Sequence, residues 1–201
     1  IQSGMDALVT GTQANITVPL QFLNDPKQSW SKRIFAALVG AVGGWTPADA
    51  SGAAQQYAPT FAAAEKKYGI PAGMLSSIAR QESRYNANAV SPKGAVGLMQ
   101  LKPKFFPNAG KDPSADINTA AQELRRLYNV YHSWPLALAA YNDGQGNFDK
   151  YRSGVIKRLP KETRNYVPSV LSHMPAASAA AAMASGATAT PARSAAGASG
   201  T

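Results

Sequence analysis

The segment 80–100 constrains this chain most, because it ends an amphipathic helix on a carboxylic acid and then contains no further acid. Apolar residues recur at helical spacing before it, and the acid continues their series at i, i+3, i+4 and i+7: Leu75, Ile78, Ala79 and Glu82. Glu82 is therefore predicted on the apolar face. Burying a charge there costs several kcal/mol unless the group is paired or neutralised, so we expect a raised pKa for this carboxyl group.

A second interpretation of Glu82 stays open at this point. Charged residues are rarely buried, and a glutamate in a last helical turn often points to water or pairs with a nearby arginine such as Arg80 or Arg84. A raised pKa would suit a general acid at neutral pH, whereas a paired surface carboxylate would not.

Four short blocks in the right order favour the first interpretation. After the helix comes a turn and a segment of small residues with two glycines, which allows close approach to the backbone. The blocks are E-S at 82–83, S-P-K-G-A-V-G-L-M-Q at 91–100, A-Y-N at 140–142 and E-T-R-N-Y-V at 162–167. Together they resemble the soluble lytic transglycosylase (SLT) family, whose catalytic domain is goose-type-lysozyme-like, over 58–174.

This resemblance implies an all-α domain of the lysozyme-like superfamily, and no strand-period run of useful length occurs in 58–174. It also implies cleavage of the β-1,4 bond between N-acetylmuramic acid and N-acetylglucosamine in peptidoglycan. The implied product is a 1,6-anhydromuramyl sugar, with Glu82 as the catalytic residue.

The resemblance assigns further site residues by position. It implies that Ser91 hydrogen-bonds the muramyl substituent, that Gln100 lines the site and that the Tyr141 hydroxyl faces the catalytic acid. Asn142 belongs to the same block, and Glu162 resembles a second acid at the cleft edge. The alternatives are structural: a turn for the serine, backbone hydrogen bonds for the glutamine and packing for the tyrosine.

The distribution of acids bears on the mechanism. No Asp or Glu lies between Ser83 and Lys111, whereas glycoside hydrolases place a second carboxyl group about 5 to 9.5 Å from the first. The segment after the catalytic acid thus lacks the partner of a two-carboxylate mechanism. Glu162 is the best objection to a mechanism with one carboxyl group.

Charge and composition limit the partners. The formal net charge is +9, and most of the excess lies in 58–174, so an acidic polymer or a membrane surface is a plausible neighbour. Peptidoglycan strands are the predicted partner; no nucleic-acid motif occurs. With no cysteine and no metal-ligand spacing near His132, we predict neither a metal nor another cofactor.

The chain divides into three parts by composition. Residues 1–57 form an extension with a short apolar helix at about 27–44, which docks on the domain or a partner, or contacts a membrane; nine apolar residues are too few for the roughly 20 of a span. Residues 58–174 form the catalytic domain. Residues 175–201 are rich in Ala, Ser and Gly, which is typical of a flexible linker or tail.

Within the domain we predict a helix from Pro59 that ends at Gly69, a helix capped by Asp116, a short buried helix over 136–141 and a last helix over 162–174. A turn is predicted after Asn142.

The chain begins without an initiator methionine or a recognisable signal peptide, and it carries low-complexity flanks. We interpret it as a virion protein of a bacteriophage that degrades the wall in the host periplasm during genome ejection, with other virion or secretion-complex subunits as partners. A bacterial periplasmic enzyme is the alternative setting. Two alternative functions remain, a structural or channel virion protein with a glycan-binding or inactive domain and a hydrolytic goose-type lysozyme.

Overall fold

The computed structural model describes residues 10–11, 14–15 and 52–185. The predicted helix at 27–44 lies outside these residues. Two short antiparallel strands, β1 (Thr10–Gly11) and β2 (Ala14–Asn15), precede the helical part of the chain. The helices are α1 (Gly52–Tyr68), α2 (Met74–Ser83), α3 (Pro113–Tyr131), α4 (Trp134–Asp143), α5 (Gln145–Arg152), α6 (Lys161–Ser172) and α7 (Ala176–Ala184).

Helix α4 lies at the centre of the domain. It is apolar nearly all round, as predicted, and packs against α3, α5, α6 and α7. Its inner residues are fully or almost fully buried, among them Ala137, Leu138 and Ala139. A helix that is apolar on every side is stable only when neighbours cover it, so the other helices form a shell around it. The predicted predominantly helical fold is confirmed for the described residues.

Helix α1 differs from its prediction at its start. It begins at Gly52 and runs through Pro59, which had been taken as its first residue. A proline inside a helix removes one backbone hydrogen bond, but Pro59 is exposed, so water can satisfy the freed carbonyl group. Tyr57 packs against the core, so α1 joins the domain before the predicted boundary at 58. The predicted end is correct: Gly69 follows the helix with φ 62°.

The cap of α3 also differs. Asp112, not Asp116, is the N-cap, because its side chain accepts a hydrogen bond from the Ser114 backbone N–H and Pro113 stands at the first helical position. Asp116 is instead a buried acid inside the first turn, and its carboxylate accepts the Gly110 N–H at 3.0 and 3.1 Å. It thereby fixes the loop between α2 and α3.

Two helices were not predicted. Helix α5 follows Gly144 directly, where only a turn was expected. Helix α7 lies in the part that composition assigned to a linker, and its residues Ala179 and Ala182 are buried. An alanine-rich segment has a high helix propensity, and contacts with α4 and α6 supply the burial that holds this one in place.

Candidate active site

Glu82 lies in the last turn of α2 and is partly exposed. Burial raises the pKa of its carboxyl group to about 7, the Tyr166 side chain lowers that pKa through a hydrogen-bonding interaction, and the negative charge of Glu162 raises it. Desolvation is the largest of these causes. The predicted raised pKa is therefore present, and the carboxyl group is at the midpoint of its titration near neutral pH, as general acid–base chemistry requires.

The arginines of the alternative interpretation do not set this pKa. Neither Arg80 nor Arg84 is among the groups that shift the pKa of Glu82. Arg84 ends the helix in a left-handed conformation, with φ 52°, and its N–H donates to the Arg80 carbonyl. Tyr85 follows with φ 64°, so the chain turns sharply away just after the acid.

Ser83 attaches the next segment to the end of α2. Its hydroxyl donates to the Ala79 carbonyl and, at 2.8 Å, to the carbonyl of Leu98, which is fully buried. The segment 95–101 is thus held beside Glu82 by a side chain adjacent to it in sequence. This segment forms one wall of the site, which we call the loop wall.

Gly97 explains why the loop wall needs small residues. It has φ 76°, and a Cβ atom there would lie 2.5 Å from the buried Asp116 carboxylate and 3.1 Å from the Gly110 Cα. Any side chain would therefore push the loop wall away from α3. The two glycines of the S-P-K-G-A-V-G-L-M-Q block were predicted to allow close approach, and Gly97 does so.

The structure gives Ser91 and Gln100 clear structural roles in this loop. The Ser91 hydroxyl accepts the Ala95 N–H at 3.0 Å, which closes the turn. The Gln100 amide donates to the Ala89 and Gly97 carbonyls, and its backbone has φ 49°, a costly conformation for a residue with a side chain. Both side chains remain partly exposed, so contact with a ligand remains the prediction for them.

Two tyrosines form the floor behind Glu82. The Tyr141 hydroxyl donates to the Met99 carbonyl at 3.0 Å, and burial followed by the charge of Glu82 holds its pKa well above the usual value. The charge of Glu82 thus affects Tyr141, but the Tyr141 hydroxyl donates its hydrogen bond to the loop wall. Asn142, at the next position of α4, is partly exposed.

Tyr166 is the tyrosine that interacts directly with Glu82, and sequence reasoning missed that role. It lies on α6, is 3% exposed, and its hydroxyl makes no short, well-aligned hydrogen bond in the part of the chain described. The interaction with Glu82 is therefore a loose one. The sequence predicts Tyr166 only as part of the last helix at 162–174; its position in the E-T-R-N-Y-V block was the available signal.

Glu162 is an exposed, ion-paired acid rather than a second desolvated carboxyl group beside Glu82. It is exposed in the first turn of α6, one helical turn before Tyr166, and it pairs with Lys93 at 2.9 Å. Its effect on Glu82 is electrostatic and is the smallest of the three influences on that pKa. The site therefore contains one protonatable carboxyl group in a desolvated position and one ion-paired acid at its rim.

The described ranges contain no group of three or more His, Asp or Glu side chains placed to hold a metal ion. They also contain no helix long and apolar enough to cross a membrane.

The geometry defines a helical domain in which the desolvated carboxyl group of Glu82 lies between the loop wall and α6. Comparison with known proteins identifies the family. The model of the Transglycosylase SLT domain matches residues 59–163, more than half of the chain, and the chain belongs to this family.

The similar proteins agree with this assignment. The soluble lytic murein transglycosylase of Escherichia coli K12 is 32% identical over 129 residues, which cover 52% of this chain and 20% of that protein. The membrane-bound lytic murein transglycosylase F of Alcanivorax borkumensis is 34% identical over 108 residues, which cover 48% of this chain and 23% of that protein. The chain thus spans about a fifth to a quarter of the length of these relatives.

A solved structure shows the same fold. An inactive mutant of the lytic transglycosylase Slt from Pseudomonas aeruginosa superimposes with a TM-score of 0.50 and 21% sequence identity, covering 76% of this chain and 30% of that chain.

Proposed function

We propose that this protein is a peptidoglycan lytic transglycosylase that cleaves the β-1,4 bond between N-acetylmuramic acid and N-acetylglucosamine. The observation that carries the proposal is the state of Glu82, which is desolvated, has a pKa of about 7 and is affected by the acid Glu162 only through its charge. Membership of the family and the similarity to murein transglycosylases support the substrate class.

In the proposed mechanism Glu82 acts twice. Its protonated carboxyl group donates a proton to the glycosidic oxygen as the bond to C1 breaks, through an oxocarbenium-like transition state. The resulting carboxylate then removes the proton of the C6 hydroxyl of the same muramyl residue as that oxygen bonds to C1. The product is a 1,6-anhydro sugar, no water is consumed and Glu82 regains its proton.

The other residues have supporting roles in this proposal. Tyr166 stabilises the carboxylate between the two steps, because its interaction lowers the pKa of Glu82. Tyr141 holds the loop wall through the Met99 carbonyl. Ser91, Gln100, Asn142 and Glu162 are proposed to contact the glycan.

Product mass separates this function from its closest alternative. Wild-type protein is incubated with purified sacculi, and the released muropeptides are analysed by mass spectrometry. We expect anhydromuramyl ends; a goose-type hydrolase adds water and gives products heavier by about 18 Da. Hydrated ends would overturn the transglycosylase mechanism, and an absence of any release would favour a structural or glycan-binding virion protein.

We further propose that the protein acts from a phage virion in the host periplasm during genome ejection. The low-complexity composition of 1–57 and 175–201 supports this setting, since such segments often tie a domain into a larger assembly. The relatives named above come from bacteria and favour the alternative, a bacterial periplasmic enzyme. Mass spectrometry of purified virions and of periplasmic extracts decides between them, and crosslinking would identify virion or secretion-complex partners and any membrane contact of 27–44.

A further inference from the structure

Lys93 occupies a rigid turn at the rim of the site. The Ser91 N–H donates to the Ala95 carbonyl at 2.8 Å, the Gly94 N–H donates to the Ser91 carbonyl at 2.9 Å, and the Ser91 hydroxyl accepts the Ala95 N–H. Three hydrogen bonds within five residues fix the backbone from which the Lys93 side chain extends. The backbone of Lys93 is therefore fixed, although its side chain is exposed.

This ammonium group joins the loop side of the site to α6. Its Nζ atom lies 2.9 Å from a carboxylate oxygen of Glu162, which is 69 residues away in sequence. Glu162 and Tyr166 are four residues apart on α6 and so lie on the same helix face, and Tyr166 interacts with Glu82. The ion pair thus lies one helical turn along α6 from Tyr166, the residue that interacts with Glu82.

The ion pair of Lys93 and Glu162 contributes little to the stability of the fold, so another anion can replace Glu162. The Lys93 and Glu162 side chains are 73% and 64% exposed, and exposed ion pairs contribute little to stability because water and salt screen them. Asp143, at the end of α4, also attracts the Lys93 ammonium group. Because the pair with Glu162 is exposed and weak, a carboxylate of a ligand can replace Glu162 as the partner of the ammonium group at little cost.

We propose that Lys93 is the specificity-determining residue for the anionic substituent of the muramyl sugar. When a glycan strand enters, its lactyl or stem-peptide carboxylate replaces Glu162 as the partner of the ammonium group. The inference deepens the proposed function and rests on it for the substrate class. Ser91, two residues earlier on the same turn, is the residue predicted to contact this substituent.

Neighbouring cations are less suited to this role. Arg164, on the same helix as Glu162, donates its Nε–H to the Leu159 carbonyl, which directs the guanidinium group toward the preceding loop. Arg126 is paired with Glu123 at 2.7 Å on α3. Lys93 is the cation whose partner is a rim residue of the site.

Binding measurements on a variant that lacks the proposed proton donor test recognition of the glycan separately from cleavage. In a Glu82→Gln background, calorimetry measures the dissociation constants of three tetrasaccharides with the same β-1,4 backbone. One carries stem peptides, one has been stripped by an amidase and keeps only lactyl carboxylates, and the third is neutral chitotetraose. We expect Lys93→Met to weaken the two anionic ligands about two- to fivefold, the size of one exposed ion pair, and to leave chitotetraose unchanged.

Three controls make the result specific. Lys93→Arg keeps the charge and should restore most of the preference. Lys66→Met removes the same charge from the exposed end of α1 and should leave all three constants unchanged. The preference of the Glu82→Gln protein for anionic ligands should also shrink as salt rises from 50 to 500 mM.

The outcomes distinguish the two proposals. An unchanged ratio of anionic to neutral binding in Lys93→Met, or an equal loss for chitotetraose, overturns the role of Lys93 and leaves the proposed function intact. Failure of all three ligands to bind the Glu82→Gln protein, together with no cleavage by the wild type, overturns both.

Discussion

A glutamate lies at each end of α2, Glu65 buried and Glu82 partly exposed, and the hydrogen bonds that the two carboxyl groups receive differ. At its N-terminus the Glu65 carboxylate, contributed by α1, accepts the Gly73 and Leu75 N–H groups at 2.9 and 2.8 Å. Near its C-terminus Glu82 receives no backbone N–H within the described residues and has only the loose interaction with Tyr166. Burial raises the pKa of both groups, but backbone donors oppose that rise only at Glu65.

The difference follows from the polarity of a helix. Free N–H groups and the positive end of the helix dipole favour a carboxylate at the N-terminus, whereas the negative C-terminal end disfavours one. Burial acts on both carboxyl groups, but Glu65 caps the N-terminus of α2, whereas Glu82 at the C-terminus is the proposed proton donor. A single helix thus supplies both environments.

The largest effect should come from removing the proton donor. Glu82→Gln keeps the shape of the side chain but cannot donate and retrieve a proton, so clearing of sacculi should fall by about 10² to 10⁴-fold. Turbidity assays measure the loss, and circular dichroism shows that the fold is retained. More than a tenth of wild-type activity in this variant would refute the assignment of Glu82.

The second prediction concerns stability against pH. The pKa of Glu82 rises from 4.5 when unfolded to about 7 when folded, so between these values the folded protein holds a proton that the unfolded chain has lost. Stability should therefore fall as pH rises through this window, by up to about 3 kcal/mol in total. Urea unfolding at pH 4.5, 6 and 8 measures it; Glu82→Gln should lack this part of the slope, and parallel curves would contradict the raised pKa.

The third prediction tests the carboxylate cap at the N-terminus of α2. Glu65→Ala removes both acceptors and leaves two N–H groups of α2 unpaired, which should lower the free energy of unfolding by about 1 to 2 kcal/mol. Glu65→Gln keeps one acceptor oxygen and serves as the matched control, with a smaller loss. Equal stability of Glu65→Ala and wild type would mean that water replaces the cap.

The smallest effects should appear in the pH profile of cleavage. Its upper limb should lie near pH 7, where Glu82 loses its proton. Glu162→Gln removes a negative charge that raises this pKa, so the limb should move down by less than about one pH unit. Tyr166→Phe should move it up, because the lost hydroxyl lowers the pKa.

Histidine replacement is the control for that profile. Neither His132 nor His173 is among the groups that shift the pKa of Glu82, so replacing both with alanine should leave the limb in place. A limb that disappears in the double variant would assign the titration to a histidine.

The sequence predicts the environment of Glu82 at the C-terminal end of α2. It does not predict the role of Glu65 at the N-terminal end. The i, i+3, i+4, i+7 series placed Glu82 correctly, because local periodicity determines which residues share a helix face. The sequence predicts only the helix that contains Glu65, since the role of its carboxylate depends on how α1 docks against α2. The role of Tyr166 was missed for the same reason, because a long-range contact leaves no mark in the spacing.

The remaining misses have local causes. Asp112 stands directly before Pro113, a pattern that predicts an N-cap, yet Asp116 was chosen because the apolar series begins beside it. Helix α7 was not predicted because an Ala-rich composition is typical of a flexible linker. Here α4 and α6 bury the segment and stabilise it as a helix. The division at 58 and 174 remains a prediction, and α1 and α7 extend past both limits.

The cap at Glu65 also bears on the order in which the domain assembles. Synthesis proceeds from the N-terminus, so α1 and its carboxylate emerge from the ribosome before α2 does. An acceptor for the first turn of α2 is then already present when that turn emerges. The helix that carries Glu82 can then begin to form against Glu65 before the loop wall and α6 have emerged.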